Sequence, residues 1–201
     1  MNEDYSTKQH TAKERYEKLK EKREQYLDRA RECSELTIPA LIPEDGFHYT
    51  SELYTPFQSV GARGVNNLAS KLLLLLLPPN SPFFRLSVSG KAKEQLGEQR
   101  ELGAEVEKSL QRIEKEVQNK IEQLALRVSV FEAIKHLVVG GNVLCYLPKD
   151  GHMKVFPLTQ YVVTRDSEGE LLEIVIKESI TPLSLDVDVR AQVISDPDYK
   201  E

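Results

Sequence analysis

The sequence predicts an α+β fold in which long helices come first and a small antiparallel β-meander follows. Before residue 142, the apolar residues are spaced for helices. Between residues 143 and 180, four short apolar segments are separated by turn residues. Helices and strands that are segregated along a chain are typical of α+β domains. We therefore expect residues 11–142 to form the helical part of one domain and residues 143–180 its meander.

The first helix is predicted from residue 11 to about Glu35. Thr11 and Glu14 have the spacing of a capping box, in which each side chain satisfies a free backbone N–H of the other residue. Residues 1–10 are polar and are expected to be mobile. The helix is either a solvated helix resting on a core or a helix at a subunit boundary. Its apolar stripe is predicted at Tyr16, Leu19, Tyr26, Ala30 and Cys33.

The second helix should follow an irregular connection over residues 36–54, which contains two prolines and the turn sequence Glu44-Asp45-Gly46. Thr55, Pro56 and Gln58 predict its start, with proline at the first helical position. It should end at Leu77, before two prolines.

The second helix changes character along its length. The stretch Gly61–Gly64 could be an anion-binding turn, but its place inside a helix favours a close approach of backbones. Six consecutive leucines, Leu72–Leu77, point in every direction around a helix. We expect them to be covered on all sides, by the same subunit or by a neighbour.

Further elements follow in order. Phe83–Val88 is predicted as a short strand, and Lys91–Leu126 as a long charged helix. Packing of that helix on its own domain is favoured over a coiled coil because its apolar seam is short. Ser129 and Glu132 predict the start of a fourth helix, which ends at Gly140-Gly141. The seam of the long helix is Val106, Leu110, Ile113, Val117, Ile121 and Leu124.

The meander is predicted from four strands and two glycine turns. Asp150-Gly151 and Ser167-Glu168-Gly169 supply the turns. Residues 181–201 form a poorly defined tail, in which a short helix between Asp186 and Ile194 is possible. The strands are Val143–Leu147, Met153–Phe156, Tyr161–Arg165 and Leu171–Lys177.

Charge and composition argue against several classes of protein. The formal net charge is -5, whereas nucleic-acid binders usually carry a basic surplus. In the first helix, acidic and basic residues alternate, which favours a solvated or protein-facing surface. Cys33 and Cys145 are far apart, so we expect no disulfide and a reducing cytoplasmic setting. The longest apolar run is the six leucines, too short to span a membrane, and the N-terminus does not resemble a signal peptide.

No pattern of catalytic residues emerges. The sequence lacks a Walker phosphate loop and a nucleophile elbow, and its four histidines are not at metal-ligand spacing. His136 lies beside the apolar face of a predicted helix and is interpreted as a structural histidine with its hydrogen bonds satisfied. We therefore expect no catalytic residues, no cofactor, no metal and no enzymatic activity.

Several segments resemble the portal, or head-to-tail connector, proteins of T7-like podoviruses. The resemblance extends from about Tyr16 to Lys177. The segments that carry it are Leu36–Pro39, Leu41–Pro43, Thr55–Leu72, Phe131–Leu144, Tyr161–Val163 and Arg165-Asp166.

This resemblance implies a dodecameric ring at one vertex of the capsid, made in the host cytoplasm. Double-stranded DNA passes through such a ring during packaging and ejection. A terminase motor, tail or adaptor proteins, and scaffolding and internal core proteins are the implied partners. No membrane is involved, and the ring itself hydrolyses nothing.

Family members are much longer than this chain, and their clip, stem and crown would follow the matched region. We therefore interpret the chain as the outer wing region or a truncated product, which does not itself contact DNA. The alternative is a stand-alone adaptor module that binds a partner protein through its charged helices. The candidate interface and packing residues are Arg63, Asn66, Asn67, Lys71 and Leu74.

Overall fold

A computed structural model describes residues 11–44, 47, 52, 54–79, 81–88, 100–149 and 151–195, with the backbone alone at residues 100 and 101. Some of the predictions above lie outside the described residues. They are the mobile segment 1–10, the turn at Asp45-Gly46, the start of the long charged helix before residue 100, and Asp150 of the first hairpin turn.

The α+β class is confirmed, with helices first and short antiparallel strands after them. Single 3₁₀ turns lie at Pro39–Leu41, Leu158–Gln160 and Pro182–Ser184. The helices are α1 (Ala12–Glu35), α2 (Val60–Leu76), α3 (Arg100–Gln123), α4 (Leu126–Gly140) and α5 (Val187–Ser195). The strands are β1 (Leu144–Tyr146), β2 (Lys154–Phe156), β3 (Tyr161–Arg165) and β4 (Leu171–Ile176).

The chain divides into two compact units. The larger unit contains residues 23–159, and the smaller unit combines residues 1–22 with residues 160–201. Helix α1 therefore contributes its first half to the smaller unit and its second half to the larger one. Each unit has buried apolar residues of its own.

In the larger unit, α2 packs along α4, and the second half of α1 supplies Leu27 and Ala30 to the core. The side chain of Ser34 is fully buried. Its hydroxyl donates to the Ile38 carbonyl at 2.8 Å and accepts the Ile42 N–H at 3.2 Å. These two bonds satisfy buried polar groups where the chain leaves α1, so this part of the predicted irregular connection has a defined path.

Gly61 allows the start of α2 to lie directly on the backbone that follows α1. A Cβ atom on Gly61 would come within 2.2 Å of the Leu36 carbonyl oxygen and 3.1 Å of the Thr37 Cα. Because both neighbours are backbone atoms, they cannot rotate away as a flexible side chain would. The prediction that glycine serves a close approach of backbones is confirmed at this position, and Gly64 has no such neighbour.

In the smaller unit, the β3–β4 hairpin packs one face on the first half of α1. Val162 and Val175, paired across the two strands, lie against Tyr16 and Leu19. The capping box at the start of α1 is confirmed. The Thr11 N–H donates to the Glu14 carboxylate at 3.2 Å, and the Glu14 N–H donates to the Thr11 hydroxyl at 3.3 Å.

An ion pair joins α1 to β4 within the smaller unit. The Arg15 guanidinium donates two hydrogen bonds to the Glu173 carboxylate. These bonds lower the pKa of Glu173 below its ordinary value, with a smaller contribution from the charge of Arg15. The pair thus adds a polar contact to the apolar packing of the hairpin on α1.

All four predicted strands are present, but they do not form one continuous meander. β1 pairs with β2, and β3 pairs with β4, as two separate antiparallel sheets. The 3₁₀ turn Leu158–Gln160 lies between β2 and β3 and separates the two hairpins. The helix predicted near Asp186–Ile194 is confirmed as α5.

The apolar stripe predicted for α1 is wrong at two positions. Tyr26 and Cys33 are exposed, whereas Leu27 and Ser34 are buried. Leu27 lies eleven residues after Tyr16, and Ser34 lies eighteen residues after Tyr16. These distances are close to three and five helical turns, so both residues return to the side of the helix that carries Tyr16.

The predicted starts of α2 and α4 are also wrong. α2 begins at Val60. Its first helical hydrogen bond is the one that the Arg63 N–H donates to the Ser59 carbonyl, and Pro56 lies before this first turn. α4 begins at Leu126, after Ala125 in a left-handed conformation (φ 49°), so Ser129 lies inside the helix. The predicted end of α4 is confirmed: Gly141 is left-handed (φ 72°), and its N–H donates to the Leu137 carbonyl.

The segment Phe83–Val88 is not a strand. Among the described residues it has no neighbouring strand, and its backbone bonds to a side chain instead. The N–H of Leu86 donates to the Glu114 carboxylate of α3 at 2.6 Å.

The two glycines of α2 provide a matched test of the close approach. Gly61→Ala should lower the free energy of unfolding by about 1–3 kcal/mol, since overpacking forces backbone to shift. Gly64→Ala should raise it by up to about 1 kcal/mol, because alanine favours helix and the site is open. Urea unfolding of both variants measures the difference. Equal changes in the two variants would contradict the close approach.

The buried His136 should make the fold less stable at acidic pH. It is buried, and its Nδ1 atom has no hydrogen-bond partner among the described residues, so the expectation of a fully satisfied histidine is wrong. Burial lowers the pKa of His136 below its ordinary value of 6.5, and the charge of Glu132 opposes this only in part. Below pH 6.5 the unfolded chain therefore binds more protons than the folded chain, and stability falls as the pH falls.

We expect the free energy of unfolding to fall between pH 8 and pH 5.5. Each unit by which the two pKa values differ contributes up to about 1.4 kcal/mol. His136→Gln should flatten this dependence. Urea unfolding at several pH values measures this pH dependence of the free energy of unfolding. The same slope in His136→Gln and in the unaltered chain would refute the assignment.

Candidate interaction surface

Helix α2 has one buried face and one exposed face. Val65 and Ala69 are buried in the larger unit. The five candidate residues predicted from the sequence are exposed and lie on the side of α2 away from those two. The helical period brings them together, since Arg63, Asn67, Lys71 and Leu74 are four, four and three residues apart and Asn66 adjoins Asn67. They are Arg63, Asn66, Asn67, Lys71 and Leu74.

The C-terminal end of α2 exposes leucines. Leu74 is 56% exposed, Leu75 is 79% exposed and Leu76 is 57% exposed. Leu68, one turn before Lys71, is also exposed. The described chain thus covers the leucine run on one side only. Adjacent large apolar side chains in contact with water are typical of a surface that another molecule covers.

We call Leu68, Lys71, Leu74, Leu75 and Leu76 the α2 leucine surface. Within α2, the charged residues are Arg63 and Lys71, and no acidic residue is present. The surface is therefore apolar with a basic edge. A partner would need an apolar face with acidic residues around it.

Arg127 of α4 holds the end of α2 in place. Its guanidinium donates to the carbonyl oxygens of Leu77 and, at 3.0 Å, of Pro78. It also donates to the Glu122 carboxylate at 2.8 Å. The last carbonyls of a helix lack partners within the helix, and a cation near them offsets the helix dipole. The leucine surface is thus fixed before any partner arrives, which lowers the entropy lost on binding.

A second apolar surface lies on the β3–β4 hairpin. The face opposite the Tyr16 and Leu19 contact carries Val163 and Ile174, which are directly paired across the strands. Both are 38% exposed, Ile176 is 42% exposed and Leu172 is 66% exposed. We call Val163, Leu172, Ile174 and Ile176 the hairpin outer face.

Acidic residues lie at the turn end of the hairpin. From residue 161 to residue 178 the hairpin has five carboxylates and two basic side chains, and one of these carboxylates, Glu173, is paired with Arg15 of α1. Glu168 and Glu170, in and beside the turn, are exposed. This surface therefore has an apolar centre and a negative edge.

An open groove of about 490 Å³ lies beside α3. The segment Arg85–Val88 forms one side, and α3 forms the other with Val106, Leu110 and Glu114. The seam of α3 is only partly covered, since Ile113 is half exposed and Val117 is also exposed. Part of the α3 seam lines this groove. The residues that line the groove include no cluster of reactive side chains.

The described residues contain no group of three or more His, Cys, Asp or Glu side chains that could hold a metal ion. Cys33 and Cys145 are exposed free thiols. None of the described helices combines the length and the apolar character needed to cross a membrane.

Comparison with known proteins identifies the family. The model of the bacteriophage head to tail connecting protein family matches residues 9–198, nearly the whole chain. The chain belongs to this family. The matched range includes α2 and the β3–β4 hairpin, and hence both apolar surfaces.

Curated relatives are portal proteins. The chain is 42% identical to the portal protein of Escherichia phage T7 over 187 residues, which are 90% of this chain and 35% of the relative. It is 41% identical to the portal protein of Enterobacteria phage T3 over the same length and 35% identical to that of Enterobacteria phage SP6 over 161 residues. The chain thus spans about a third of the length of these portal proteins.

The sequence predicted α2 as a packing element but missed three contributions to these surfaces. The hairpin outer face was detectable from the sequence: Leu171–Ile176 has five apolar residues in six and not a strict alternation, a pattern typical of strands covered on both faces. The second was the partial exposure of Leu74–Leu76. The third was the role of Arg127, for which the sequence has no local signal because its partners are about fifty residues away.

Arg127→Leu should lower the free energy of unfolding by about 1–3 kcal/mol, because it leaves partly buried carbonyl groups without their donor. Arg127→Lys should restore only part of the loss, since a lysine cannot reproduce the planar fork. Arg112→Leu, at an exposed position of α3, is the control and should change it by no more than about 0.5 kcal/mol. Urea unfolding compares the three. An unchanged unfolding midpoint for Arg127→Leu would mean that the hydrogen bonds of Arg127 to the Leu77 and Pro78 carbonyls, here called the Arg127 clamp, add nothing to the stability of the fold.

Proposed function

We propose that this chain is part of the portal of a tailed phage, where it contributes the outer wing region of a ring at one vertex of the capsid. DNA enters the head through this ring during packaging and leaves through it during ejection. A terminase motor binds the ring first, and tail proteins bind it afterwards. Scaffolding and internal core proteins meet its inner side.

The observation that carries this proposal is the family match over residues 9–198, together with relatives that are portal proteins. The exposed α2 leucine surface supports it physically. Leucines at the end of a fixed helix lose contact with water when subunits assemble, and each buried leucine contributes on the order of 1.5–3 kcal/mol. A ring supplies the neighbour that the described chain lacks on that side.

We assign the five exposed α2 residues to contacts between subunits. Arg63, Asn66 and Asn67 would provide polar contacts at the first half of the helix, and Lys71 and Leu74 would lie at the apolar half. In this proposal the chain has a structural role and catalyses no reaction. DNA passes through the channel without touching the described surface, in agreement with the net charge of -5.

The first test is the assembly state of the full-length gene product. Negative-stain electron microscopy and solution mass should reveal closed rings with a central hole. A monodisperse, well-folded monomer would contradict the proposal and favour a stand-alone adaptor that binds a partner protein through its charged helices.

Leu74→Asp tests whether α2 belongs to the ring contact. Because Leu74 is more than half exposed, the variant should keep its helical circular dichroism and unfolding midpoint but should lose the ring. Burying an unpaired carboxylate in an apolar contact is costly. Leu183→Asp, at an 80% exposed leucine that belongs to neither surface, should assemble normally. Normal rings of Leu74→Asp would refute the assignment.

A further inference from the structure

A ring of identical subunits requires two different surfaces on each subunit. In a closed ring every subunit meets one neighbour through one surface and the other neighbour through a second, complementary surface. A surface that paired with itself would give a dimer. The ring proposed above therefore demands two unlike surfaces that fit one another.

Each compact unit of this chain carries one of the two exposed apolar surfaces defined above. The larger unit has the α2 leucine surface, and the smaller unit has the hairpin outer face. Both have an apolar centre of branched aliphatic side chains. They differ in charge, since α2 carries Arg63 and Lys71 with no acidic residue, whereas the hairpin has a surplus of carboxylates.

We propose that the α2 leucine surface of one subunit binds the hairpin outer face of the next subunit around the ring. This inference rests on the proposed portal function and names the two surfaces of its repeated contact. Leu74 and Leu75 pack against Leu172 and Ile174 of the neighbour. Lys71 lies near the carboxylates at the turn, with Glu170 as its partner.

The geometry of both elements suits such a contact. The Arg127 clamp fixes the end of α2, and the ion pair of Arg15 with Glu173 fixes the hairpin on α1. Two pre-ordered surfaces lose little entropy when they meet. The hairpin also gains, because the apolar residues of its outer face would leave water in such a contact.

Disulfide cross-linking of the full-length gene product tests the contact directly. The background carries Cys33→Ser and Cys145→Ser, together with the same change at any further cysteine. Leu75→Cys and Leu172→Cys are then combined in one chain. Each subunit should be linked to both neighbours, which gives a ladder of covalent oligomers on a non-reducing gel. Either variant alone should give no ladder, and neither should Leu75→Cys combined with Leu183→Cys.

Charge reversal provides a second readout. Lys71→Glu should weaken assembly at least tenfold at low salt, and adding Glu170→Lys to the same chain should restore most of it. Lys149→Glu, at an exposed lysine elsewhere, should have no effect. The assembly constant is measured by sedimentation velocity.

The outcomes separate this inference from the portal proposal. Intact rings without a ladder would overturn the pairing of these two surfaces and leave the portal function standing. A link formed within one monomer would overturn it as well, because both surfaces would then meet in the same chain. If the unaltered full-length protein forms no ring, the portal proposal fails and this contact fails with it.

Discussion

The packing of α2 on α4 is the constraint on which the rest of the larger unit depends. Val65 and Ala69 bury one face of α2, and Gly61 brings its start against the backbone that follows α1. Arg127 fixes its other end. With both ends held, α2 cannot turn its final leucines into the core. Those leucines remain in contact with water because a single rigid helix cannot bury all of its faces on one neighbour.

The smaller unit repeats this situation with strands. Residues on one face of β3 and β4 reach the first half of α1, and the Arg15–Glu173 pair holds the hairpin in that position. The apolar residues on the other face then remain uncovered. The helix α2 and the β3–β4 hairpin thus share one property: one face is covered and an apolar face remains exposed. In each case, the contacts that order the element leave an apolar surface for a partner.

Much of this fold was predictable from local signals. The capping box at Thr11 and Glu14, the glycine end of α4 and the four strands are confirmed, because each depends on a few neighbouring residues. The starts of α2 and α4 were wrong because the cap signals at Thr55 and Ser129 do not decide where the helical hydrogen bonds begin. The first bond of α2 runs from Arg63 to Ser59, and α4 begins after the left-handed Ala125.

The candidate site was predictable in part for a related reason. The spacing of Arg63, Asn67, Lys71 and Leu74 is enough to place them on one face of a helix. Their exposure depends on which side of α2 meets α4, which the sequence does not reveal. The single meander was wrong because strand signals fix the strands but not their partners, and β2 and β3 do not pair.

The central claim is that the leucine end of α2 is a contact between subunits. An electron cryo-microscopy map of the full-length assembly, at a resolution that resolves side chains, tests it most directly. We expect Leu74, Leu75 and Leu76 to be buried against another subunit in every copy. A ring in which all three leucines still face solvent would contradict the claim.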